Sequence, residues 1–197
     1  EFIPLNVYSE DWSFPILQQP TDGKKYTSIN GALVAPMSRG NITLKSNSTS
    51  DPPLINPNFL AEKTDQEVAI ALFRRLREVA KSKPMKNTVL KEVYPGEDHK
   101  SDKEILAVIR DTLMTVWHAA CTCKMGKSDD EMAVLDSKAR VYGVKGLRVV
   151  DASAFPMLVP GHPTGTIYAL AEKIAYEIIA EQETEGSSYK VDIDAKA

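Results

Sequence analysis

The chain has 197 residues, 43% of them hydrophobic, and a formal net charge of −3. That supplies enough apolar side chain to bury a core, excludes a disordered composition and, with no long basic run, argues against a nucleic-acid partner. No apolar stretch approaches the roughly 20 residues that span a bilayer.

The opening Glu1-Phe2-Ile3-Pro4 lacks the basic end and apolar run of a signal peptide, and reads as a processed end, a cleavage product or a junction. Residues 1–26 are rich in proline and aromatics and are expected to be irregular. Thr27 to Pro36 reads as a strand, Ser38-Arg39-Gly40 as a turn, and Asn41 to Ser46, alternating through Ile42-Thr43-Leu44-Lys45, as another strand. Asp51 to Pro57 holds three prolines and is expected to be an ordered loop or extended segment. Thr64-Asp65-Gln66-Glu67 is a capping-box sequence. Val68, Leu72, Leu76 and Val79 follow at helical spacing with Arg74, Arg75 and Glu78 outside, which predicts a helix over 65–82 ended by Pro84. Lys83 to Lys100 is a connector. Ser101-Asp102-Lys103-Glu104 is a second capping box, opening a helix with Ile105, Val108, Ile109 and Leu113 as its apolar positions.

After Trp117 the charge thins out, and small residues and glycines take over. Leu147 to Asp151 predicts a short buried strand and Pro156 to Pro160 an apolar loop. Pro163 is expected to start a last helix whose buried face is Ile167, Leu170, Ala171, Ile174 and Ile178. Residues 183–197 are polar and expected to fray as a tail. The change near 115 reads as a passage between two structural layers, because no Gly/Ser-rich linker separates them.

Few residues offer chemistry. Cys121 and Cys123 cannot form a disulfide framework, and a bridge between residues two apart would be strained. With too few further ligands nearby for zinc, small buried thiols are expected. Asn41-Ile42-Thr43 and Asn47-Ser48-Thr49 are glycosylation sequons, which point to the secretory route. His99 lies in the charged turn Gly96-Glu97-Asp98-His99-Lys100 and is expected to be exposed and without function. His118 sits among small residues in V-W-H-A-A-C-T-C-K-M-G, where another group could approach closely. His162 stands just before Pro163, at a helix start whose unpaired N–H groups favour an anion. Taken singly, each histidine fits a hydrogen-bonded structural role as well as a catalytic one. Asp151 closes the Val149-Val150 strand, where a carboxylate either meets a ligand or simply forms a turn. No G-x-S-x-G, P-loop or G-x-G-x-x-G occurs, so a serine hydrolase and a phosphate-cradling loop are both excluded.

The ordered runs W-H-A-A-C-T-C-K-M-G (117–126), A-R-V-Y-G-V-K-G-L-R-V-V-D-A-S-A-F-P (139–156) and G-H-P-T-G-T-I-Y-A-L-A-E-K-I-A (161–175) resemble the C-terminal end of glucose–methanol–choline oxidoreductases. S-R-G-N-I-T-L (38–44) and P-P-L-I-N-P-N-F-L (52–60) resemble that family's substrate-domain segments, so the likeness covers roughly residues 27–180. The resemblance implies an FAD enzyme that oxidises a small-molecule alcohol to a carbonyl. It implies His118 as the base beside the flavin and His162 as the second active-site histidine. Asp151 and Ala152 match the segment that touches the flavin's phosphate and ribitol region. His162, Pro163 and Thr164 match the segment that passes the ring, and Trp117 is expected to line the ring pocket. Cys121 stands where many relatives have glycine, which makes the backbone there less permissive. The family's dinucleotide-binding G-x-G-x-x-G is missing, so the chain is expected to be a fragment whose partner is the N-terminal portion carrying that motif.

The expected fold is α+β for residues 1–115, part of a substrate-binding domain with a mostly antiparallel sheet and helices on one side. Residues 116–182 are expected to be the C-terminal piece of an α/β FAD-binding domain, with 183–197 as the tail. Two other functions fit the resemblance: a non-redox lyase or cyclase on the same scaffold, in which the histidines act as acid and base, and a non-catalytic half that needs a partner chain.

Overall fold

The computed structural model describes residues 1–9 and 19–184. The chain divides into two compact units, Glu1–Trp117 and His118–Ala197.

In the first unit, β1 (Phe2–Leu5) pairs antiparallel with β2 (Ser28–Gly31), with Phe2 opposite Gly31 and Leu5 opposite Ser28. Part of the stretch expected to be irregular is therefore a strand. Its one-sided pattern, with Ile3 and Leu5 half-buried between exposed Phe2 and Pro4, is masked in the sequence by Pro4, which a two-stranded edge tolerates. The ribbon leaves no room for a side chain at Gly31. A Cβ there would stand 2.7 Å from Leu72 Cγ, so glycine is what lets a helix lie on β2. β3 (Asn41–Thr43) pairs antiparallel with β4 (Leu54–Asn56), Ile42 facing Ile55. Both described strand pairs are antiparallel, as expected, but they form two separate ribbons instead of one sheet. The proline-rich 51–57 segment supplies β4, the extended form expected of it.

The first helix, α1 (Lys63–Ala80), starts and ends about two residues earlier than expected, and Thr64 does not cap it. The N-cap is Glu62, and its N–H donates to the Ser38 hydroxyl at 3.1 Å. Asp65 has turned inward: only 3% exposed, it accepts from the N–H groups of Met37 (2.8 Å) and Ser38 (2.7 Å) and from the Ser38 hydroxyl (2.5 Å). The tertiary contact outbids the local capping box. Ala69 and Ile70 are buried, and Leu72, Leu76 and Val79 half-buried. Val68, expected inside, is 50% exposed. The second helix, α2 (Asp102–Thr112), has the expected capping box: the Ser101 hydroxyl accepts from Glu104 N–H, and the Glu104 carboxylate accepts from Ser101 N–H at 2.9 Å. Ile105 is fully buried. Leu113 lies one residue past the helix and is exposed.

Arg77 of α1 ties down the connector between the helices. Its guanidinium donates to both Glu92 oxygens (2.9 and 2.7 Å) and to the carbonyls of His99 (2.6 Å) and Gly96 (2.9 Å), and it lies 4.7 Å over the Phe73 ring. His99 is thereby drawn in. It is half-buried, not exposed, because the turn around it folds onto the half-buried Arg77 guanidinium.

The second unit is built around Leu135, Ala139, Ala154, Phe155 and Ile174, all buried. Its one long element, α3 (Thr164–Thr184), runs past the expected end at 182. The remainder of the expected tail lies outside the described residues. Of the expected inner face, Ile174 is buried and Ile167, Leu170, Ala171 and Ile178 are half-buried. Glu181 fastens the far end, accepting from Lys138 Nζ and an Arg148 guanidinium nitrogen, both at 2.6 Å. The Leu147–Asp151 strand does not form. Leu147 is 47% exposed, and the segment has a single isolated bridge, Arg140–Arg148, with the Val141 N–H to Leu147 carbonyl and Val149 N–H to Ala139 carbonyl bonds on either side of it. A strand needs a continuous neighbour, and these residues have none among those described.

Candidate active site

The site grows from one short 3-10 turn, Ala152–Ala154. Asp151 caps it, its carboxylate oxygen Oδ1 accepting from Ser153 N–H (2.7 Å) and the Ser153 hydroxyl (2.5 Å). A turn this short uses few of its own carbonyls. The rest go to the segment that follows His118: Cys121 N–H donates to the Ala152 carbonyl (3.1 Å), Cys123 N–H to that of Ser153 (2.9 Å) and Met125 N–H to that of Ala154 (2.9 Å). The opposite edge of the segment is held too, with Lys124 carbonyl accepting from Val134 (2.9 Å) and Leu135 (3.2 Å). Cys121 makes the bend between this segment and His118, at φ 71. The backbone takes the conformation that glycine adopts at no steric cost, even though a side chain is present. Both cysteines are half-buried, less enclosed than expected.

Downstream of the turn, buried Phe155 leads through the 156–160 loop to Gly161, at φ 89. His162 follows, exposed, and then Pro163, buried. The helix begins at Thr164, one residue later than expected, with the Pro163 carbonyl accepting the first helical bond from Ile167 N–H at 2.9 Å. The N–H groups of Thr164, Gly165 and Thr166 therefore have no acceptor within the helix. Nothing stands within 4 Å of where a Cβ would project from Gly161 or Gly165.

The consequence is that His118 and His162, remote in sequence, meet. Their ring centroids are 4.9 Å apart, edge to face at 79°. Of the other expected site residues, Ala152, Pro163 and Thr164 lie on the segments just described. Asp151 is spent on Ser153, and Trp117 carries an exposed ring (73%) at φ 58, its N–H donating to the Thr115 hydroxyl. Ser153, Cys123 and Met125 were not singled out from the sequence. The Asp-x-Ser spacing of an Asx turn was the available signal for Ser153. Among the described residues no group of three or more His, Cys, Asp or Glu side chains could hold a metal ion, and no helix is long and apolar enough to cross a membrane. Two adjacent imidazoles, open space beside glycine backbone and three free N–H groups at a helix start fit a flat cofactor with an electron-rich edge.

The chain is 52% identical over 162 residues to versicolorin B synthase of Aspergillus parasiticus, covering 82% of this chain and 25% of that protein. It is 51% identical over 179 residues to patulin synthase of Aspergillus clavatus, covering 90% and 28%. Among solved structures it resembles a formate oxidase at a TM-score of 0.77 and 33% identity, over 89% of this chain and 30% of that one. It also resembles an FAD-dependent oxidoreductase from Chaetomium thermophilum at 0.71 and 34%, over 82% and 27%. It thus spans about a quarter to a third of the length of these proteins. The family model described as GMC oxidoreductase matches residues 36–171, and with these likenesses the chain belongs to the GMC oxidoreductase family, as a C-terminal portion with its α+β and α/β parts.

Proposed function

We propose that this chain supplies the two-histidine part of an FAD-dependent oxidoreductase that oxidises an alcohol to a carbonyl. The observation that carries the reading is the 4.9 Å approach of the His118 and His162 rings. FAD is the cofactor, and when bound it accepts the hydride that leaves the alcohol carbon. His118 takes the hydroxyl proton as a neutral imidazole, a contribution typically worth about 10²–10⁴-fold. His162 holds the hydroxyl oxygen in line with it. The N–H groups of Thr164, Gly165 and Thr166 favour negative charge at the cofactor's edge. Ala152, Pro163 and Thr164 would hold the cofactor, and Trp117 would lie near its ring. Residues 1–115 belong to the substrate-binding domain and 116–182 to the FAD-binding domain, whose dinucleotide-binding portion is the chain's partner.

The test is anaerobic bleaching of the flavin in the full-length protein, using an alcohol that reduces the parent. His118→Ala should slow reduction by about 10²-fold or more with FAD retained, and His162→Ala should slow it as well. Parent-like rates in His118→Ala would remove the base assignment. A second reading rests on the synthase names of two relatives: the same imidazoles act as acid and base without hydride transfer. Turnover of substrate with no bleaching would favour it.

The secretory route is part of the proposal. Asn41 and Asn47 are both exposed, Asn41 at the start of β3 and Asn47 in the loop before β4. Endoglycosidase should lower the mass of the secreted protein, and Asn41→Gln with Asn47→Gln should remove that portion of the shift.

A further inference from the structure

We propose that Asp151 is a positioning residue for His118, acting through the 152–154 turn, and not a direct ligand of the cofactor. This rests on the alcohol-oxidation reading of the histidine pair. The route is continuous. The Asp151 carboxylate fixes Ser153 by two short hydrogen bonds to one oxygen. Ala154 N–H returns to the Asp151 carbonyl at 3.1 Å, and buried Ala154 and Phe155 seat the turn in the core. The turn's three successive carbonyls then take the N–H groups of Cys121, Cys123 and Met125. His118 is carried on the end of that segment, beyond the left-handed bend at Cys121. His162 is carried on the other side of the turn, beyond Phe155 and Gly161. One capped turn is therefore the common anchor of both imidazoles, and its cap is Asp151.

Asp151 is exposed, but its Oδ1 is taken up by the turn, so that oxygen acts on the backbone that follows it. Without it, Ser153 loses its acceptor, the three carbonyls lose their fixed spacing, and His118 is free to drift relative to His162. Displacement of a reacting group by about 1 Å can cost on the order of 10²-fold in rate. Such a loss falls mainly on kcat, since the step that slows is proton removal by a misplaced His118.

The experiment uses the full-length flavoprotein with Asp151→Ala and Asp151→Asn, hydrogen exchange read by mass spectrometry, and anaerobic flavin reduction. In Asp151→Ala, exchange in the peptide 119–126 should rise about tenfold or more while the 167–180 peptide of α3 stays protected, a contrast that general destabilisation would not give. Reduction should slow by about 10–100-fold in kcat with KM little changed and FAD retained. Asp151→Asn keeps an acceptor oxygen and should recover most of the exchange protection and the rate. Loss of FAD with unchanged exchange at 119–126 would make Asp151 a cofactor ligand and overturn the proposal. Unchanged exchange and rate in Asp151→Ala would also overturn it. The function reading stands or falls separately: it fails if His118→Ala reduces at the parent rate, whatever Asp151→Ala does.

Discussion

Asp65 shows how a single side chain can abandon its local role. Burial pushes its carboxyl upward, but the N–H and hydroxyl donors of Met37 and Ser38 outweigh this and hold it below the ordinary 3.8. Its contribution to stability is therefore complete above the ordinary carboxylate range. It is lost as pH falls below 3.8 through the depressed folded value. Asp65→Ala should cost about 2–3 kcal/mol, since three donors lose a charged acceptor. Urea unfolding of parent and variant should show the gap closing under acid; a gap independent of pH would sink the account. At this scale the sequence offered residue types and spacing but not direction. Thr64-Asp65-Gln66-Glu67 and Ser101-Asp102-Lys103-Glu104 look alike, yet only the second closes as a capping box. Asp65 instead finds Ser38, a residue no local window contains. His118 and His162 were legible as candidates because small residues and a helix start flank them. That they share one site was implied by the family resemblance and by no local pattern, since their contact depends on where the 152–154 turn sends each end.

At the scale of elements, the helices were legible, and β2 and β3 form inside the stretches expected to be strands, while Phe2–Leu5 and Leu147–Asp151 were misread. Helical periodicity is carried within one segment, so α1, α2 and α3 lie within about two residues of expectation at their starts. A strand is defined by a neighbour. Phe2–Leu5 is one because Ser28–Gly31 lies alongside, and Leu147–Asp151 is not one because nothing continuous does. The connector between α1 and α2 has no regular structure of its own and is held by Arg77. That side chain uses a fork geometry that lysine cannot reproduce. Arg77→Lys should therefore destabilise the protein by about 1.5–3 kcal/mol, the range for hydrogen bonds to charged groups. The urea midpoint reads the loss, and exchange of residues 92–99 should rise ahead of the rest. An Arg77→Lys variant as stable as the parent would show that Glu92 and the two carbonyls need only a positive charge.

The whole molecule carries an imbalance between its composition and its interior. With 43% of residues hydrophobic, it still exposes Leu90 (93%), Leu44 (83%), Trp117, Met132 and Tyr176 (each 73–75%), and Met157 (71%). α3 is apolar on more than its inner face: Tyr168, Tyr176 and Ile179 point outward at 69%, 75% and 47% exposure. Large apolar side chains outside the inner face of a helix point to a further surface that covers them. The relatives supply the scale, since the chain spans only 25–28% of the two synthases it matches at about half identity. This surface is what the rest of such a protein would cover. The 197-residue chain made alone should therefore bind an apolar-surface dye strongly and melt broadly, while the full-length protein binds little dye and melts sharply. The two samples should be compared at equal concentration, with dye fluorescence and a calorimetric melt. A sharp transition and weak dye binding by the chain alone would mean that its own core is sufficient and that the outward tyrosines are ordinary surface.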